Sequence, residues 1–172
     1  MARQLWVLRH AEAEPHGTRA DAERRLTARG RRQARAAGLA LARLQAGFDA
    51  VLFSPKVRAR QTAELAAERW PQAKRAVLAA HPPLAGGFDA ASAREAFELA
   101  ASERGARASG RVLLVGHEPD LSNVVAELTG GAIDLKKGGL AVVRLDGARS
   151  ELVVLLRPRE LALIAGVPPG RE

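Results

Sequence analysis

Apolar positions along this chain fall into short continuous runs, separated by longer stretches in which they recur at helical spacing. Leu5-Trp6-Val7-Leu8 is too short for a helical period and reads as a buried strand. Ala50-Val51-Leu52-Phe53, ended by Ser54-Pro55, is a second such run, and Arg111-Val112-Leu113-Leu114-Val115 is the clearest. Ala76 to Ala79 fits a further short strand. Leu140 to Leu145 and Glu151 to Leu156 flank the turn-like pair Asp146-Gly147 and predict an antiparallel hairpin. Between the runs lie helices. Thr27 is a suitable N-cap for one that reaches about Ala46 and stops at Gly47, with Ala34, Ala37, Leu41 and Leu44 forming its apolar stripe. Arg29, Arg32, Arg35 and Arg43 lie mostly off that stripe and read as a solvated face. Gly30 and Gly38 weaken this helix, which predicts close packing at one of them. A second helix fits residues 56–69, with Val57, Leu65 and Ala66 available for burial. Ser92-x-x-Glu95 has the form of a capping box opening a third helix to about Arg104. Asp120 can cap a fourth that runs to Leu128 and ends at Gly130-Gly131, and Pro158 opens a short last one ending near Gly166.

This alternation predicts an α/β layered fold. No internal repeat, low-complexity tract or dividing linker is visible, so residues 1–172 are expected to form a single domain. Hydrophobic residues make up 47% of the chain but aromatics only 3%, so the core must be built from Ala, Leu and Val. The absence of cysteine excludes disulfides, thiolate metal sites and cysteine nucleophiles, and fits a reducing compartment. No signal-peptide pattern and no apolar run of membrane-spanning length is present, which predicts a cytoplasmic protein without a membrane partner. A net charge of +8 ordinarily raises nucleic-acid binding. Here 23 arginines against 4 lysines are spread along the chain and the few aromatics offer no stacking platform, so no nucleic-acid partner is expected. A basic surface that attracts anionic substrates is the more economical account.

Three stretches with chemical potential stand just beyond strands: Arg9-His10, Ser54 to Arg58, and Gly116-His117. In a parallel sheet the C-terminal ends of the strands share one edge, where residues distant in sequence converge. Histidine can form a covalent intermediate, and a guanidinium can hold phosphate through two parallel hydrogen bonds. Arg58 falls in the first turn of a helix, where backbone amides also favour an anion. Each has a bland alternative: a basic strand end, a surface arginine, a satisfied core histidine. Together they point to phosphoryl transfer through phosphohistidine. The four histidines His10, His16, His81 and His117 show no metal-ligand spacing, and no metal or cofactor is expected.

The ordered segments Leu8-Arg9-His10-Ala11-Glu12-Ala13, Leu26-Thr27-x-x-Gly30-x-x-Gln33-Ala34, Ser54-Pro55-x-x-Arg58-Ala59-x-Gln61-Thr62-Ala63 and Val115-Gly116-His117-Glu118-Pro119 resemble the signatures of the histidine phosphatase superfamily. The short chain, the Arg-His-Ala-Glu-Ala opening, Asp21-x-x-Arg24-x-Leu26-Thr27 and Lys137-Gly138-Gly139-Leu140-Ala141 resemble its SixA-like phosphohistidine phosphatase branch. The resemblance implies a phosphoglycerate mutase-like fold: a three-layer α/β/α sandwich on a mostly parallel sheet, compact and without large insertions. It makes His10 the nucleophile, and Arg9, Arg58 and His117 the phosphate pocket of a metal-independent hydrolase, with His117 charged when a dianion is bound. Phosphoryl transfer needs positioning and charge more than covalent help, which agrees with such a pocket.

One departure stands out. Many members carry a carboxylate acid in the loop that here reads His81-Pro82-Pro83-Leu84-Ala85-Gly86-Gly87, and Pro83 occupies the place before Leu84. This argues against ordinary phosphomonoesters. Glu12, Glu118 and His81 are the candidate substitutes. Against that role, Glu12 reads more readily as a loop-orienting group and Glu118 as a carboxylate near a helix N-terminus. The expected function is hydrolysis of phosphohistidine on a protein. A small phosphate ester or phosphoanhydride is the alternative, and a non-catalytic phosphate-recognising module the second; a mutase would need longer insertions. No role is assigned to Lys136-Lys137.

Overall fold

The computed structural model describes residues 3–145 and 150–169. Six strands, β1 (Gln4–Arg9), β2 (Ala50–Phe53), β3 (Val77–Ala80), β4 (Arg111–Gly116), β5 (Leu140–Arg144) and β6 (Glu151–Leu156), form one sheet in the order β3-β2-β4-β1-β5-β6. The first four in that order run parallel, and β5 is antiparallel to both β1 and β6. Five helices complete the frame: α1 (Ala28–Arg43), α2 (Val57–Glu68), α3 (Ala90–Arg104), α4 (Asp120–Thr129) and α5 (Pro158–Ala165). None of the described helices is long and apolar enough to cross a membrane.

The central strands β1, β2 and β4 are covered on both faces because their interior positions are apolar, and successive side chains point to opposite sides. Leu5, Val7, Val112 and Leu114 pack with Phe97 of α3 and with Leu121 and Val124 of α4. Leu8, Leu113 and Val115 face the other way, against Ala37 and Leu41 of α1, Ala63 of α2 and Leu161 of α5. The result is the expected three-layer α/β/α sandwich. Each fully buried Leu or Val contributes about 1.5–3 kcal/mol. Four of the six aromatics, Trp6, Phe48, Phe53 and Trp70, gather on the α1 side, where Phe48 lies edge-on between Trp6 and Trp70, and the Trp70 indole N–H donates to the Ala46 carbonyl at 2.8 Å.

Close packing is found at both helical glycines. A Cβ at Gly30 would lie 1.9 Å from the Glu12 carbonyl oxygen, and one at Gly38 would lie 2.1 Å from that of Ala66 in α2.

Element ends differ from the sequence expectation in ways that local hydrogen bonds explain. α1 stops at Arg43, three residues before Ala46, and Leu44 is 47% exposed instead of buried. Gln45 takes the left-handed conformation (φ 50°), and the Ala46 N–H returns to the Leu41 carbonyl, a helix stop built on glutamine ahead of Gly47. α3 begins at Ala90, because Asp89 is its N-cap and accepts the Ser92 N–H at 2.8 Å. Ser92-x-x-Glu95 therefore lies inside the helix. Asp120 is the first residue of α4, not its cap, and its carboxylate accepts the Phe88 N–H. β3 starts one residue later than Ala76. The turn at Asp146-Gly147 lies outside the described residues.

Candidate active site

The sheet order makes β2, β4 and β1 neighbours, with Arg9 opposite Gly116 and Phe53 opposite Val115. Their C-terminal ends are therefore level, and the chains leaving them stay tied: the His10 N–H donates to Gly116 and the Ser54 N–H to Val115, each at 2.9 Å. A third segment clamps β1 from the other side. The Gly138 N–H donates to the Arg9 and His10 carbonyls, and the Arg9 N–H donates to Gly139. Gly138 has a φ of 75°, which suits glycine, and a Cβ on Gly139 would come within 2.8 Å of the Lys136 carbonyl oxygen. The Lys136-Lys137 stretch thus belongs to the loop that holds the strand end. Lys136 pairs with Asp134, and Lys137 lines the cavity described next.

Above the strand ends lies an open cavity of about 820 Å³ lined by Arg9, His10, Arg58 and His117 among others. His10, only 6% exposed, has Nδ1 2.7 Å from the Ala11 carbonyl oxygen. A carbonyl oxygen can only accept, so Nδ1 carries the proton and Nε2 keeps its lone pair. The Arg58 Nε–H donates to that Nε2 at 3.3 Å. Burial, together with the nearby His117, Arg58 and Arg9, pushes His10 down to about 3 despite the Ala11 bond. It is a neutral imidazole at ordinary pH.

His117 places Nε2 2.7 Å from the Ser54 hydroxyl, and its ring centroid is 5.2 Å from that of His10. Its Nδ1 is buried with no partner among the described residues. Burial, then Arg58 and Lys56, push His117 down to about 3, with Asp21 acting in the opposite sense. A dianion in the cavity would work against that shift. Arg9 donates from NH1 to the Leu135 carbonyl at 2.8 Å, while its buried Nε also lacks a partner among the described residues. Unpaired buried polar atoms are costly, and three of them, Arg9 Nε, His117 Nδ1 and Glu118 Oε1, belong to residues that line this cavity. Arg58 is 4% exposed and donates from NH1 and NH2 to the backbone and carboxylate oxygens of Asp21.

The three candidate acids separate. Glu12 lines the cavity, but its carboxylate accepts the Thr27 hydroxyl at 2.7 Å and pairs with Arg29, as a loop-orienting group would. Glu118 also lines the cavity. Burial raises its carboxyl, partly offset by Ser122 and Arg9, and its Oε1 has no partner among the described residues. His81 is not among the lining residues, and its ring stands edge-on to Phe88. Its loop borders the cavity with Ala85, Gly86 and Gly87, none of which carries a proton donor in its side chain. His16 is on the rim with its side chain largely exposed. Among the described residues no three His, Cys, Asp or Glu side chains converge as a metal site.

Sequence reasoning gave no role to Asp21, Arg24, Lys56, Ser54 or Lys137, all of which contact or line this site. The Asp21-x-x-Arg24 spacing was a visible signal, yet Arg58, 37 residues away, becomes their neighbour only through the fold.

Comparison with known proteins agrees with this geometry. The sequence model of the histidine phosphatase superfamily (branch 1) matches residues 5–79. An uncharacterized protein of Picosynechococcus sp. is 34% identical over 170 residues, spanning 92% of this chain and 98% of its own. The solved structure of the protein histidine phosphatase SixA complexed with tungstate superposes with a TM-score of 0.77 at 25% identity, covering 92% of this chain and 99% of that one. A mycobacterial glucosyl-3-phosphoglycerate phosphatase shares the fold at a TM-score of 0.69 and 20% identity, over 91% of this chain and 99% of its own. With three of the ordered motifs meeting at one sheet edge and the fourth opening α1 beside them, the chain belongs to the histidine phosphatase superfamily, branch 1, and, with its likeness to the phosphatase SixA, it is a phosphatase.

Proposed function

We propose that this phosphatase hydrolyses phosphohistidine on a protein, through a covalent intermediate on His10, and that residues 1–172 act as one domain. The observation that carries the reading is the state of the His10 imidazole, which lines the cavity: its Nδ1 proton is committed to Ala11, and its unprotonated Nε2 accepts the Arg58 Nε–H. Nε2 attacks phosphorus in line, the P–N bond to the substrate imidazole breaks, and the leaving ring takes up a proton. Water then attacks the phosphorus on His10, releasing inorganic phosphate and restoring the neutral ring. Arg9, Arg58 and His117 hold the phosphoryl oxygens and stabilise the charge that spreads over them in the transition state. The bordering Ala85-Gly86-Gly87 segment supplies no acid, which suits an imidazole leaving group better than an alkoxide.

A second reading, hydrolysis of a small phosphate ester, has one observation in its favour. Glu118 lines the cavity with a carboxyl raised by burial, the property a proton donor needs. The experiment that separates the two is a comparison of catalytic efficiency on a phosphohistidine protein and on a panel of sugar phosphates. A missing general acid costs alkyl esters about a hundred- to ten-thousand-fold, so a clear preference for phosphohistidine is expected. Equal or better efficiency on an alkyl ester selects the second reading. Rapid quenching during turnover should trap label that survives base and is lost in acid, and His10→Ala should abolish both turnover and trapping. Acid-stable label would point to a serine or threonine ester and overturn the nucleophile assignment.

A further inference from the structure

Arg58 is a long side chain with several free torsions, yet each of its nitrogens has a separate partner. NH1 donates to the Asp21 carbonyl at 2.6 Å, NH2 to Asp21 Oδ2 at 3.3 Å, and Nε to His10 Nε2 at 3.3 Å. Two contacts to one residue fix both the plane and the rotation of a guanidinium. Asp21 is itself held. Its Oδ1 accepts from Arg24 Nε and NH2, at 3.1 and 2.8 Å, and its Oδ2 accepts from Lys56 Nζ at 3.0 Å. Arg24, 7% exposed, is anchored in turn through NH1 on the Glu14 carbonyl.

We infer that Asp21 is a positioning residue, which orients Arg58 so that its Nε–H meets His10 Nε2 and the phosphoryl group in transfer. The inference rests on the reading of His10 as nucleophile and deepens it. Lys56, Arg24 and Arg58 keep the Asp21 carboxyl far below the usual carboxylate range, so it carries charge and does not serve as the proton donor. Its charge also separates three cations that would otherwise repel one another around the phosphoryl site. The arrangement acts on rate because stabilisation by a fixed charge depends on where that charge stands, and a displacement of about 1 Å at a reacting centre can cost on the order of a hundredfold.

The test is a double-mutant cycle. Asp21→Asn should lower kcat on phosphohistidine protein by roughly ten- to a hundredfold, with a much smaller change in KM. In an Arg58→Ala background the same substitution should change kcat by less than about twofold, since the group it acts through is gone. Equal losses in both backgrounds would reduce Asp21 to a structural role, and a gain in catalytic efficiency would make it a competitor of the phosphoryl group. Either result overturns the inference. Because Arg24 loses its charged partner in Asp21→Asn, Asp21→Glu is made in parallel; it keeps the charge, and is expected to fold with unchanged melting temperature and to lose kcat by displacing Arg58. Should neither variant fold, the unsubstituted protein still decides: the Arg58 Nε–H signal should exchange slowly with water by NMR, and free exchange overturns the pinning. Quench trapping on unsubstituted protein separates this inference from its foundation. Label on His10 with an additive cycle defeats only the role of Asp21, whereas no label on His10 defeats the nucleophile reading.

Discussion

At the scale of single residues, the site works through atoms with one geometry each. Arg58 serves three acceptors from three nitrogens, and an ammonium has a single nitrogen at the end of a flexible stem. Arg58→Lys should therefore be nearly as slow as Arg58→Ala, each losing about 3 kcal/mol or more of transition-state stabilisation by comparison of kcat/KM. Full activity in Arg58→Lys would make the residue a simple point charge. The convergence of Arg9, His10, Arg58 and His117 on one cavity was legible because each stands at a recognisable distance from the end of an apolar run. The tautomer of His10 was not, since it depends on the Ala11 carbonyl turning toward Nδ1. The separation of Glu118 from His81 was equally hidden: both are titratable residues near strand ends, and only the folded loop directs one of them to the cavity.

At the scale of elements, α1 is the member that joins scaffold and site. Its two glycines allow backbone to approach backbone, Gly38 toward α2 and Gly30 toward the loop after β1. Gly38→Ala should destabilise the protein by about 1–3 kcal/mol, the ordinary cost of overpacking, read as a lowered denaturant midpoint. Gly30→Ala should also lower kcat, because its Cβ displaces the Glu12 backbone two residues beyond His10. An unchanged midpoint in Gly38→Ala would mean that the two helices part without strain. Helical propensity marked both glycines as anomalous, but not what they touch. The helix ends show the same division. Gly166, a stop that its residue type announces, ends α5 with left-handed backbone. Gln45 could not be read as the left-handed residue ending α1, since glutamine adopts that conformation only when surrounding bonds hold it.

At the scale of the whole molecule, the protein folds with two histidines kept neutral in a strongly basic chain. His10 and His117 have folded values of about 3, against about 6.5 for an ordinary histidine. Between those values the unfolded chain binds protons that the folded one refuses, so stability must fall as pH drops from about 6.5 toward 3. Asp21, whose carboxyl is held low, adds its own loss only at the acid end, below the usual carboxylate range. Denaturant midpoints measured from pH 7 to pH 4 should decline steadily, and His117→Asn should flatten the decline. A flat profile in the unsubstituted protein would contradict the burial of the two rings.

The layered α/β architecture is written in the chain's local patterns, because apolar runs and helical periods survive without knowledge of their partners. So is the chemical type of the site, since residues next to the C-terminal ends of parallel strands must share an edge. Which groups act on one another is settled by the folded arrangement alone. Asp21 reaches Arg58 across 37 residues, Gly138 clamps the His10 backbone from the far end of the chain, and Ser54 meets His117 across neighbouring strands. Those contacts follow from strand order and loop path, and a hydrogen bond exists only when both partners arrive within about 3 Å of each other.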